Sequence, residues 1–107
     1  MNEAINIWKT ESREVLPGFH GRFVHSDRTT MAYWEINQNA SLPEHDHHHE
    51  QVLHLLEGEF ELTVAGSTMQ LTAGDTVVLD SHVPHAGRAI TDCKIIDVFH
   101  PCRDDYR

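Results

Sequence analysis

Basic residues are scarce in this chain: eight lysines and arginines stand against 17 aspartates and glutamates in 107 residues, for a formal net charge of -9 with histidine neutral. Phosphate binding depends on clustered Lys and Arg, and the few present are scattered, so no nucleic-acid partner is expected. The charge also repels anionic small molecules at long range. Inside a cavity, a metal ion and one well-placed arginine outweigh that distant, screened field, so an anionic substrate is not excluded. Cysteine is limited to Cys93 and Cys102, with no CxxC spacing. Free thiols are expected, not a disulfide framework or a zinc clip. No apolar run approaches the roughly 18 residues of a membrane helix, and MNEAINIWKTESREV has neither the basic start nor the apolar stretch of a signal peptide. No membrane association and a cytoplasmic address are the expectations. Internal repeats, low-complexity linkers and sustained apolar spacing of three and four residues are also missing.

What is there suits one ordinary globular domain over residues 1–107, with 39% hydrophobic and 23% charged residues. Period two prevails. Phe60, Leu62 and Val64 alternate with Glu59, Glu61 and Thr63, the pattern of a strand with one wet face, and Ala65-Gly66-Ser67 ends it. Gln51 to Leu56 is a second apolar stretch, and Glu57-Gly58-Glu59 between the two predicts a tight hairpin turn. Further strands are predicted at Phe19 to Val24, Thr29 to Ile36, Thr68 to Leu71, Thr76 to Leu79, His85 to Ala89 and Cys93 to Phe99. Many short strands at regular spacing predict an all-β sandwich or barrel; closing such a fold protects its edges and leaves room for one small ligand.

Chemistry concentrates in Pro43-Glu44-His45-Asp46-His47-His48-His49-Glu50-Gln51. Alternate residues on a strand share a face, so His45, His47 and Gln51 can converge on one ion that suits imidazole. Taken alone, the cluster also fits a histidine-rich solvent loop. Downstream, Gly74 to His85 puts another histidine directly after Pro84, where a strand would resume. In Cys93 to Phe99, alternation sets Cys93, Ile95, Asp97 and Phe99 on one face and Lys94, Ile96 and Val98 on the other. An inward Asp97 would feel burial raising its pKa and a nearby metal lowering it.

His-x-His, three residues, Gln51, then six residues to Gly58 resembles the first motif of the cupins, and Gly74 to His85 resembles the second, with Asp80 and His82 where proline and glycine are usual. The resemblance implies a cupin β-barrel, a jelly roll, with one divalent metal held by His45, His47, Gln51 and His85; nickel, zinc, manganese and iron all suit these ligands. Gln51 stands where glutamate is usual, and a neutral ligand leaves more positive charge on the ion. His48, His49 and Glu50 are expected to support the site from behind or to face solvent, and His20, His25, His54 and His100 receive no role.

Asp97 to Tyr106, taken with the histidine run, resembles a narrower group, the KdgF-like pectin-degradation proteins, which convert 4,5-unsaturated monouronates from pectin or alginate breakdown into linear keto forms. That resemblance implies that Asp97, Phe99 and Arg103 line the active site. Asp97 would move the proton, Arg103 would fork onto the uronate carboxylate and Phe99 would give the sugar an apolar wall. Competing expectations are another metal-dependent cupin enzyme, such as a dioxygenase, isomerase or lyase, and a non-catalytic cupin that binds sugar or metal. By analogy with small cupins a homodimer is expected, with Ile5, Ile7 and Trp8 in an exchanged or docked N-terminal strand.

Overall fold

The computed structural model describes residues 2–107. Ten strands follow one another: β1 (Arg13–Leu16), β2 (Phe19–His25), β3 (Thr30–Ile36), β4 (Ser41–His45), β5 (Glu50–Glu57), β6 (Glu59–Val64), β7 (Ser67–Thr72), β8 (Thr76–Leu79), β9 (His85–Ala89) and β10 (Cys93–His100). They form a six-stranded antiparallel sheet, ordered β1-β2-β3-β10-β5-β8, and a four-stranded one, ordered β4-β9-β6-β7. The expected all-β jelly-roll barrel is present, and no helix among the described residues is long and apolar enough to cross a membrane.

The core follows from period two. Phe60 and Leu62 of β6, Leu53 and Leu55 of β5, and Ile95 and Phe99 of β10 all point between the sheets and are almost fully buried. Leu55 is 0% exposed, so it and its neighbours supply the main burial term, on the order of 1.5–3 kcal/mol for each such side chain. The alternation in β10 falls as expected, with Asp97 inside and Val98 outside. Register then fixes the site: Phe99 lies opposite Gln51 on one side and Thr30 on the other, and Asp97 opposite Leu53 and Ala32. On the outer face Val78, Val52, Val98, Met31 and Val24 form one cross-strand row over five strands.

Two expectations need correction. The residues flanking Gly58 do not form a hairpin: β5 and β6 belong to different sheets, and Gly58, at φ +94°, is the corner between them. A Cβ there would collide with the Asp92 carbonyl oxygen, so the glycine answers a crowded crossing and not a two-residue turn. The hairpin lies one strand later, at Ala65-Gly66, where both residues take the positive φ of a type I′ turn. Nor is there a strand at Ile5 to Trp8: Ile7–Lys9 is a 3-10 turn capped by the Asn6 side chain, with the Trp8 ring edge-on to Tyr33 at 5.1 Å.

Candidate metal centre and catalytic cavity

His45 ends β4 and lies opposite His85 at the start of β9, their rings 4.2 Å apart. His47 sits in the connection to β5, its ring 5.0 Å from that of His85. Each imidazole is tethered through Nδ1 to a backbone carbonyl two residues away: His45 to Pro43 at 2.9 Å, His47 to His49 at 3.0 Å and His85 to Val83 at 2.9 Å. A carbonyl only accepts, so Nδ1 carries the proton and Nε2 offers its lone pair, the tautomer a metal requires. The ligand nitrogens of the three lie within 4.8 Å of one another. Two nitrogens on one zinc-like ion sit at most about 4.2 Å apart, so rings at the far end of that range close by a few tenths of an ångström.

Gln51 completes the cluster. Its Oε1 is 3.1 Å from His47 Nε2, while its Nε2 donates to Asp97 Oδ1 at 2.9 Å. Burial, aided by the positive charge of Arg103 and by His85, lowers the His47 pKa from 6.5 to about 4. The ring is therefore neutral near pH 7, and two acceptor atoms face each other without a proton between them. A cation resolves that repulsion, so the donor set fits a divalent metal. His85 is likewise pushed down by burial.

Asp97 is buried beneath this cluster, with Oδ1 held by Gln51 and Oδ2 by the Trp34 indole N–H at 3.0 Å. Burial raises its pKa from 3.8 to about 7, with the Gln51 and Trp34 hydrogen bonds opposing that rise. Arg103 is buried too, although it stands in the chain's last residues. Its Nε and Nη2 donate to the two Asp105 oxygens at 2.9 and 2.7 Å, and its guanidinium lies over Phe99 at 4.7 Å and Tyr106 at 4.1 Å. One face of Phe99 is thus covered by Arg103, and its edge meets the His47 ring at 5.8 Å. His45, His47, Gln51, His85, Asp97 and Arg103 line one cavity whose opposite wall is apolar, with Leu42, Phe60 and Leu62 among its members.

All seven residues singled out from the sequence line this space. Trp34, Asp105 and Tyr106 were missed. For Trp34 a signal existed, since a tryptophan on a buried strand needs a partner for its N–H. His49 supports the site from behind: its carbonyl anchors His47, and its buried ring donates from Nε2 to the Cys102 carbonyl at 3.2 Å. Its Nδ1 has no partner among the described residues. His82, in the place of the usual glycine, adopts φ +65°, and its N–H donates to the His47 carbonyl at 2.8 Å, so the turn keeps its shape without glycine. Cys93 and Cys102 are free and buried, as expected.

A cupin-domain family model matches residues 32–99. The chain belongs to the cupin family. It is similar to the structure of KdgF from Halomonas sp., at 25% identity and a TM-score of 0.93, covering 100% of both chains. An RmlC-like cupin from Shewanella frigidimarina NCIMB 400 is 28% identical, with a TM-score of 0.92, covering 100% of this chain and 96% of that one. An H2HPP isomerase of Bacillus subtilis is 29% identical over 102 residues, 92% of this cupin but 42% of that protein. This cupin therefore spans about two fifths of the length of that relative.

Proposed function

We propose that this cupin is a metal-dependent enzyme that opens the ring of 4,5-unsaturated monouronates, giving the linear keto form. The observation that carries the reading is the shared cavity: three metal-competent histidines, a buried carboxylate bonded to the fourth ligand, and a buried arginine all line it. The full-length likeness to KdgF supports it.

The reaction is an isomerisation. The anomeric hydroxyl loses its proton, the bond from the anomeric carbon to the ring oxygen breaks as the aldehyde forms, and the released enolate takes a proton at C4 to become the ketone. A divalent metal held by His45, His47, Gln51 and His85 would supply Lewis-acid polarisation of substrate oxygens. Asp97, buried and with each oxygen already oriented by one donor, gives or takes the proton. Arg103 holds the uronate carboxylate, and Phe99 supports the guanidinium from below while its edge borders the cavity.

The test mixes purified protein with 4,5-unsaturated galacturonate and follows the ultraviolet absorbance of the double bond, with a chelator and with metal re-addition. Chelator-sensitive acceleration over the spontaneous loss supports the reading; none with metal loaded rejects it. Likeness to the H2HPP isomerase favours a second reading, isomerisation of a different small molecule in the same cavity. We also place the expected homodimer contact on the outer sheet face that carries Trp8 and the valine row. Trp8→Glu should then lower the mass seen by light scattering, and an unchanged mass would reject that contact.

A further inference from the structure

Arg103 is held from several sides at once. Its backbone N–H donates to Thr30 Oγ1 at 2.9 Å, its guanidinium faces meet Phe99 and Tyr106, and its Nε–Nη2 edge is spent on Asp105. What is left for a ligand is the Nη1–Nη2 end. Arg103 lines the cavity and Asp105 does not; Asp105 stands two residues on, in the 3-10 turn Asp104–Tyr106, with its side chain 56% exposed. The turn is itself tied down. Arg13 donates to the Tyr106 carbonyl and lies over Phe23 at 4.8 Å, and Phe23 stacks on Tyr106 at 4.7 Å.

We propose that Asp105 is a positioning residue: it clamps the Arg103 guanidinium from outside the cavity, so that the Nη1–Nη2 end is presented inward as a ready-made carboxylate site. This rests on the reading that the cavity takes a monocarboxylate. Arginine has many rotamers, and a ligand that must order one spends affinity on doing so. A clamp formed within the turn removes that cost before the ligand arrives. The opposing idea makes Asp105 a stand-in for the substrate carboxylate, displaced on binding. The two predict opposite signs, because loss of a clamp weakens binding and loss of a competitor tightens it.

The experiment uses metal-loaded wild type, Asp105→Asn and Asp105→Glu. Calorimetry reads the Kd of galacturonate, a saturated probe that lacks the double bond and so undergoes no net conversion, and kinetics read KM and kcat for the unsaturated uronate. Asp105→Asn is expected to raise the galacturonate Kd about tenfold, from loss of a charge-assisted bidentate contact, with Asp105→Glu recovering most of it. The loss in kcat/KM should be carried by KM, and metal stoichiometry should hold. The Arg103 Nε–H cross-peak in a nitrogen-15 spectrum should also move toward that of a free guanidinium. Tyr106→Leu, which removes one aromatic face and leaves the clamp, should raise Kd as well.

Unchanged or tighter binding by Asp105→Asn overturns the proposal. Wild type that binds galacturonate in an Asp105-dependent way without turning over the unsaturated sugar keeps the clamp and rejects the proposed reaction. Turnover that is indifferent to Asp105 does the reverse. Wild type that neither binds nor reacts rejects both.

Discussion

Gln51 joins Asp97 to His47: one amide donates to the carboxylate at 2.9 Å and turns its oxygen toward the imidazole at 3.1 Å. The group proposed to move protons and the group proposed to hold metal are therefore mechanically one unit. Gln51→Glu places a second carboxylate 2.9 Å from Asp97, where both cannot ionise cheaply. It should retain metal yet lower turnover at pH 7 at least about tenfold, one step of 1.36 kcal/mol in the barrier. Metal analysis alongside kcat checks this.

Asp97→Asn keeps the shape and, in one amide orientation, the contact with Trp34, while it gives up the hydrogen bond from Gln51 and removes the ionisable group. Turnover should be abolished while bound metal per chain stays at the wild-type value. Retained turnover would remove Asp97 from the mechanism.

Metal should stabilise the fold through His45, His47 and His85. Free metal at one hundred times its Kd adds about 2.7 kcal/mol to the folded state, and about 1 kcal/mol shifts Tm by about 4–8 °C in a domain this size. Metal addition should therefore raise the wild-type Tm by about 10–20 °C. His47→Ala and His85→Ala should show little of that rise.

In the metal-free protein Asp97 has its pKa raised by burial from 3.8 to about 7. Between those values the folded chain keeps a proton that the unfolded chain has released, so this group's contribution falls as pH rises from about 4 to about 7 and is flat above that. His47 and His85, lowered by burial, act in the opposite sense at acid pH, where the unfolded chain binds the extra protons. Subtraction isolates the carboxylate: wild-type stability minus that of Asp97→Asn, by urea titration, should decline across pH 4–7 by an amount of order 4 kcal/mol. A flat difference would show that Asp97 is not held in its neutral form.

The corner glycine Gly58 and the hairpin glycine Gly66 should separate strain from crowding. Gly66 has φ +83° and open space around a Cβ, so Gly66→Ala should cost about 1–2 kcal/mol for the left-handed backbone alone. Gly58→Ala adds the collision with the Asp92 carbonyl and contact with the buried Cys93 sulfur at 2.9 Å, and should cost more. Denaturant midpoints of the two variants give the order.

Strands with clear period two were legible, from the β6 alternation of Phe60 and Leu62 to the inward Asp97 of β10. Two edge strands were not. β4 carries Pro43, which an edge strand tolerates but which masks the pattern, and β1 buries too little to alternate. Glu57-Gly58-Glu59 misled because turn chemistry is local, whereas the sheet in which the next strand pairs is decided by distant partners. The same divide runs through the site. His45, His47, Gln51 and His85 stand out by spacing, but Trp34 and Tyr106 matter only through what the barrel brings beside them, Asp97 and Arg103.

The anchors of the three histidines belong to the main chain: the carbonyls of Pro43, His49 and Val83, each of which survives replacement of its own side chain. Replacement of the Val83 side chain can therefore proceed without tilting an imidazole, whereas His49 also holds the site through its buried ring. Selection for a different ion or reaction acts instead on Gln51, the one proposed ligand whose orientation depends on another residue's side chain. The barrel is in this sense a chassis with a single adjustable mount, and directed evolution of a new activity would do well to randomise Gln51 and Asp97 together.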